Sequence, residues 1–262
     1  MLEIEILSTN RTITYCPPSG PAIPGYFLAQ GSPMGPVLLV IHGISRNAAE
    51  MASRFAAHPA FRDHTIVAPL FEAGRFGQYQ QLRAKPGQMR SDIALGNLLE
   101  HLSLISGLNV AKISLFGFSG GAQMAHRYAL FYPDRVSSVL AVAAGWYTMP
   151  TTALRYPYGI GTGAPATFDV AAAMNVAVTV AVGSLDTRHD QALRRSRLIE
   201  TSQGRTRLAR ALAWVEAMRQ SASVNGRKRN VSFECLVGGT HEFGQCVRET
   251  HLMSLAVMAF SH

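Results

Sequence analysis

Residues 113–122 read ISLFGFSGGA, an apolar run that breaks into a serine between glycines and passes straight into QMAHRYALFY. The first part has the character of a buried strand and the second that of a helix. A strand that becomes a helix in so few residues needs a tight, strained turn, which flanking glycines permit because they let two backbones approach closely. Ser119, at the apex, is pushed outward. Such a serine either caps the helix or attacks something as a nucleophile. The residues that the rest of the chain brings to the same place decide which.

Outward from this stretch the pattern repeats. PVLLVIHG (36–43), HTIVAPL (64–70), VSSVLAVAA (136–144), VAVTVAVGS (176–184) and VSFECLV (231–237) are continuous apolar runs rich in β-branched residues. Continuous runs of this kind suit strands covered on both faces, as in a parallel sheet. Between them lie helix-like segments: NAAEMASRFAAHP (47–59), SDIALGNLLEHLSLISG (91–107), a basic segment at 188–219, and a last helix from about Arg248. Shorter segments before residue 30 (LEIEILS, TITY, GYFLA) read as small antiparallel strands. Alternation of strand and helix predicts an α/β protein whose mostly parallel sheet carries helices on both faces. The loop-like stretch 146–175 is too short for a second domain, so residues 1–262 are expected to form one domain without a large lid.

In such sheets ligands bind beyond the carboxyl ends of the strands. Four chemically capable residues follow strands there: His42, Ser119, Asp186 and His241. A serine hydroxyl is a poor nucleophile at neutral pH and needs a base to take its proton. Histidine accepts and returns a proton near neutrality, and a carboxylate behind it fixes its tautomer. Ser119, His241 and Asp186 are the candidates for these roles, with Asp190 the alternative acid. The N–H groups of Gly120, at a helix start, and of Ile44, after the first parallel strand, are candidate donors to a developing oxyanion. His42, Arg46, Phe71, Tyr79 and Trp146 also follow strands and are expected near substrate, with His42 bracing the oxyanion loop. Glu242, beside His241, is expected to be solvated, and Asn47 is a candidate helix cap.

GFSGG between strand and helix resembles the nucleophile elbow of the α/β-hydrolase fold, whose partners follow in the order Ser, Asp, His. The resemblance runs from about residue 24 to 260. More narrowly, HGISRN, PLFEAGRFGQYQQL and SQGRTRLAR resemble esterase-like hydrolases related to polyhydroxybutyrate depolymerases and feruloyl esterases. The resemblance implies a serine hydrolase without a cofactor or metal, most simply a carboxylesterase on a small or medium acyl ester. Acyl transfer, amide cleavage and a non-catalytic binding role on the same scaffold stay open.

Composition narrows the setting. The formal net charge is +8, concentrated late in the chain in RHDQALRRSRLIETSQGRTRLARALAWVEAMR and NGRKRN. Leu208, Leu212 and Val215 recur there at helical spacing, with Ala211 and Trp214 beside them, so the arginines are read as mostly the solvated face of an amphipathic helix. No zinc-finger spacing, RNA-binding aromatic motif, P-loop or H-x-x-x-H occurs, which argues against nucleic-acid and metal chemistry. No apolar run reaches membrane-spanning length, and the opening MLEIEILSTN does not read as a secretory leader. Cys16, Cys235 and Cys246 are odd in number and unpaired in spacing, as expected of free thiols in a cytoplasmic protein. Oligomeric state is not legible.

Overall fold

A computed structural model of the protein describes residues 11–187, 193–228 and 230–261. In chain order the strands are β1 (Thr14–Cys16), β2 (Gly25–Ala29), β3 (Val37–Ile41), β4 (Thr65–Leu70), β5 (Ile113–Phe118), β6 (Val136–Val142), β7 (Ala177–Gly183) and β8 (Val231–Leu236). They form one sheet in the order β1-β2-β4-β3-β5-β6-β7-β8. β1 and β2 are antiparallel additions at one edge, and every pairing from β4 through β8 is parallel. The chain moves from β3 outward to β4 and then back past β3 to β5. The direction of winding therefore reverses between β3 and β5, which is the switch point where ligands sit in open α/β sheets.

The helices are α1 (Ala48–Ala56), α2 (Ser91–Ser106), α3 (Gly120–Phe131), α4 (Val170–Asn175), α5 (Arg197–Gln203), α6 (Arg207–Val224), α7 (Phe243–Glu249) and α8 (Leu252–Phe260). Alternation along β3 shows why both faces must be covered. Val37, Leu39 and Ile41 join a core with Leu95 and Leu98 of α2, Ala125 and Tyr128 of α3 and Trp214 of α6. Leu38 and Val40 point the other way, into a core with Met51 and Phe55 of α1 and Leu252 and Leu255 of α8. All five β3 residues are buried, and each large apolar side chain so covered contributes about 1.5–3 kcal/mol.

The expected α/β architecture is the one observed, with four departures. The stretch 146–175, expected to be a loop, ends in α4, whose start is capped by the Asp169 side chain accepting from Ala172 N–H. The C-terminal helix is two helices, α7 and α8, separated at Thr250 and His251. The basic segment is also two: α5 ends at Gly204, whose φ of 102° favours glycine, and α6 starts after Thr206, whose side chain accepts from Ala209 N–H. Within α6 Ala211, Trp214 and Val215 are buried as expected, but the stripe is completed by other residues than Leu212. Leu212 is 47% exposed, whereas Arg207 and Arg210 are buried with Ala211, Trp214, Val215 and Met218. The arginines are inside because each meets oxygen acceptors there: Arg207 the Asp186 carboxylate, Arg210 the carbonyls of Gly145 and Gly204. The segment LEIEILS, the alternative acid Asp190 and the terminal His262 lie outside the described residues.

Candidate active site

The β5–α3 junction puts Ser119 at φ 54°, ψ −111°, a backbone setting that costs a non-glycine residue about 1–3 kcal/mol. Close packing holds it there. A Cβ on Gly121 would lie 1.9 Å from the Ile41 carbonyl oxygen, and one on Gly117 would lie 2.4 Å from the Gly121 carbonyl carbon. The glycines are thus demanded by contact between β3, β5 and the first turn of α3. Ser119 N–H donates to Val142 O at 2.8 Å, and Ser119 O accepts from Gln123 N–H at 3.1 Å. Its side chain makes no capping bond to α3.

Instead, Ser119 Oγ lies 3.0 Å from His241 Nε2, and His241 Nδ1 lies 2.8 Å from Asp186 Oδ2. The other carboxylate oxygen, Oδ1, accepts from Arg207 Nη1 at 2.9 Å. Three loops bring these groups together. The loops after β7 and β8 are stitched by Ser184 N–H to Leu236 O (3.0 Å), Leu185 N–H to Gly239 O (2.9 Å) and Gly238 N–H to Ser184 Oγ (2.9 Å). These bonds fix Asp186 and His241 relative to one another. The His241 ring also packs against Phe118, with centroids 5.5 Å apart. Asp186 is 2% exposed and the His241 side chain 21%, so proton exchange faces solvent while the carboxylate does not.

The turn after β3 completes the site. Arg46 N–H donates to Gly43 O at 3.0 Å, and Arg46 itself adopts φ 58°. Its Nε donates to Phe71 O and its Nη1 to Ile44 O, at 2.9 and 2.8 Å. Ile44 is 49% exposed. A Cβ added to Gly120 would meet Ile44 N at 3.4 Å and the Tyr79 hydroxyl at 2.6 Å. The Ile44 backbone thus packs directly against Gly120, the residue that follows Ser119.

Burial changes the reading of four residues expected to contact substrate. His42, Phe71, Tyr79 and Trp146 are between 0% and 2% exposed. His42, Phe71 and Tyr79 pack against one another beside the turn after β3, and Trp146 is covered by Arg127 and Arg194. His42 Nδ1–H donates to Gly43 O at 2.7 Å, and Nε2 accepts from Phe71 N–H at 3.0 Å. Burial pushes the His42 ring down from 6.5 to about 4, so it is a neutral brace at physiological pH. The Tyr79 hydroxyl donates to His42 O at 2.9 Å, and its ring stacks on Phe71. The Arg127 and Arg194 guanidinium carbons lie 4.3 and 5.5 Å from the Trp146 ring centroid. Of that expected set only Arg46 keeps partial exposure. Asn47 makes no capping bond, whereas Glu242 caps α7, accepting from the N–H groups of Gly244 and Gln245.

Sequence reasoning missed Arg207. The signal was present: stepping back four residues from Trp214 and from Ala211 lands on Arg210 and Arg207, on one helical face. A cavity of about 630 Å³ is lined by Arg195, Ser196, Arg197, Glu200, Thr201 and Arg205, on α5 and the approach to α6. Among the described residues no group of three or more His, Cys, Asp or Glu side chains is placed to hold a metal ion, and Cys16, Cys235 and Cys246 are unbridged. No described helix is long and apolar enough to cross a membrane.

A parallel sheet wound about a β3/β5 switch point, with a serine at a strained strand-to-helix turn, is the α/β-hydrolase fold. No family model matches the chain, and no curated protein matches it. Solved structures do. Poly(aspartic acid) hydrolase-1 from Sphingomonas sp. KT-1 superposes with a TM-score of 0.77 at 24% identity, covering 98% of this chain and 100% of that one. LpqC, a poly(3-hydroxybutyrate) depolymerase from Bordetella parapertussis, gives 0.75 at 22% identity over 91% of this chain and 87% of its own. A ferulic acid esterase gives 0.63 at 16% identity over 97% and 99%. The likeness is one of fold, and it agrees with the resemblance drawn from GFSGG and HGISRN.

Proposed function

We propose that this protein is a serine hydrolase that cleaves a small or medium carboxylic ester through an acyl-enzyme. The observation that carries the reading is the unbroken hydrogen-bonded chain from Ser119 through His241 to Asp186. Ser119 Oγ attacks the acyl carbon while His241 Nε2 takes its proton. Asp186 holds the imidazole through Nδ1–H and stabilises the imidazolium. The N–H groups of Gly120 and Ile44 receive the oxyanion, an interaction whose loss typically costs about 3 kcal/mol. His241 then returns the proton to the departing alcohol, and water, deprotonated by the same ring, releases the acid. The three residues work within one domain, and the chemistry draws on no cofactor. Ser119→Ala is expected to abolish turnover of p-nitrophenyl butyrate and labelling by a fluorophosphonate while leaving the melting transition cooperative. Undiminished turnover in that variant removes the mechanism, and a wild-type protein that takes no label is a binding protein.

A second reading keeps this machinery and changes the acyl group. It is favoured by the exposed arginines 194, 195, 197 and 205, which follow closely after Asp186 in the chain, and by one relative of this fold being named a poly(aspartic acid) hydrolase. On this reading the substrate bears carboxylates, and the bond cleaved is an ester or an amide. Removal of Arg195, Arg197 and Arg205 together then lowers kcat/KM for a hemisuccinate ester but not for a butyrate ester, and added salt does the same. Equal effects on both esters dismiss it.

A further inference from the structure

Among the described residues two groups converge on the Asp186 carboxylate, and the chemistry above uses one of them. Oδ2 faces His241 Nδ1 at 2.8 Å, while Oδ1 accepts from Arg207 Nη1 at 2.9 Å. The side chains of Asp186 and Arg207 are each 1% exposed. We propose that Arg207 is a positioning residue for acyl transfer: its guanidinium locks the Asp186 carboxylate so that one oxygen remains aimed at the imidazole. The proposal rests on the Ser119–His241–Asp186 reading and adds a fourth member to it.

The terminal torsion of an aspartate is broad and roughly two-fold, so backbone placement alone does not fix where its oxygens point. Here the backbone is fixed by the loop bonds after β7 and β8, including Asp186 N–H to Gly183 O at 3.0 Å. The carboxylate itself needs a second partner, and α6 supplies it. The position of that partner is in turn secured. Thr206 caps α6 through Ala209 N–H at 3.1 Å, and Arg210 ties the helix start to Gly204 O at 2.9 Å and to Gly145 O at 2.6 Å. Gly145 follows β6, so the guanidinium is referenced to the same sheet edge as Ser119.

Electrostatics alone does not account for an arginine here. A cation at Oδ1 competes with the imidazolium for the carboxylate's charge, which works against the base. What an arginine supplies is a rigid planar donor that a lysine ammonium does not reproduce. The arrangement favours direction over charge, because an imidazole turned away from Ser119 does no chemistry however basic it is.

The test is a double-mutant cycle on full-length protein, with active sites counted by fluorophosphonate titration and esterase kinetics read on p-nitrophenyl butyrate. Arg207→Met is expected to lower kcat per titrated site at least about tenfold with KM within about twofold, and Arg207→Lys to restore part of that loss. In an Asp186→Asn background the Arg207→Met change is expected to alter kcat by less than about threefold, because its route of action is already gone. Unchanged kcat in Arg207→Met, or an equal fractional loss in both backgrounds, overturns the proposal. If Arg207→Met gives no cooperative melt, Arg207→Lys decides: a lowered kcat at constant KM supports it, and a wild-type kcat overturns it. A wild type that neither turns over ester nor takes label refutes the hydrolase reading instead.

Discussion

Gly120 offers a perturbation whose effect can be worked from distances. It is the first residue of α3, where alanine is otherwise the better helix former by about 1 kcal/mol. On local grounds Gly120→Ala should therefore stabilise. Yet the new Cβ would lie 2.6 Å from the Tyr79 hydroxyl and 3.1 Å from Ile44 Cγ2. Tyr79 has nowhere to go: it is 1% exposed, its hydroxyl donates to His42 O, and its ring stacks on Phe71 at 5.4 Å. With Tyr79 fixed, relief comes by shifting the first turn of α3, which carries the Gly120 amide out of its place against Ile44. That separates the two amides assigned to the oxyanion. Losing one such donor lowers kcat by about 10²–10³, and overpacking costs about 1–3 kcal/mol of stability. The assay is kcat on p-nitrophenyl butyrate per titrated site, beside a urea melt. Gly96→Ala in α2 is the control, because an added Cβ there meets nothing within 4 Å. It is expected to leave kcat unchanged and raise stability by up to about 1 kcal/mol. A Gly120→Ala protein with kcat within about threefold of wild type would refute the assignment of the oxyanion site.

Asp186→Asn is expected to lower kcat by about 10³–10⁴ with little change in KM, whereas Asp190→Asn should change it less than about threefold; the reverse ranking transfers the acid role to Asp190. Stability should fall as pH drops from 6.5 toward 4. The His42 pKa is depressed in the fold by burial, so its stabilising share is complete above the unfolded value of 6.5 and is lost as pH falls through about 4. That share is about 3 kcal/mol, His126 is shifted in the same direction, and equal urea midpoints at pH 7 and pH 4 would contradict the argument. Ser119→Gly should melt higher than Ser119→Ala, because glycine relieves the positive φ that alanine retains. The gain is about 1 kcal/mol, or about 2–4 °C for a chain near this size, and a lower melt for the glycine variant would show that no strain is stored there.

The sheet was readable because parallel strands covered on both faces leave continuous apolar runs, and each of PVLLVIHG, HTIVAPL and ISLFGF contains an observed strand. Ser119, Asp186 and His241 were readable because each follows such a run, and sheet geometry carries strand ends to one edge. What was not readable is which neighbours of that edge face outward. Phe71, Tyr79 and Trp146 also come after strands, yet they turn inward: Phe71 and Tyr79 stack on each other, the Tyr79 hydroxyl donates to His42 O, and Arg127 lies over the Trp146 ring. The helical spacing of Leu208, Leu212 and Val215 sends Arg207 and Arg210 to the solvated face. Composition does not reveal that an acceptor is waiting inside, and a buried guanidinium is tolerable only with such partners.

Backbone strain marks the same edge independently of side-chain chemistry. Among the described residues, four non-glycine positions have positive φ: Arg46, Leu82, Ser119 and Ala143. Three of these come shortly after parallel strands, Arg46 after β3, Ser119 after β5 and Ala143 directly after β6. Leu82 follows the Tyr79–Gln81 turn, which lies under the β3 loop through the Tyr79 hydroxyl. Each such conformation costs about 1–3 kcal/mol, and a fold selected for stability alone has no reason to gather them. The covering contacts sustain them: Ser119 N–H reaches Val142 O, and Ala143 N–H reaches Ala181 O, each at 2.8 Å. β5, β6 and β7 are thus cross-linked just where their chains turn outward. Relaxing either turn would shift its neighbour, so the turn at Ser119, the turn at Ala143 and the strand that leads to Asp186 are mechanically coupled.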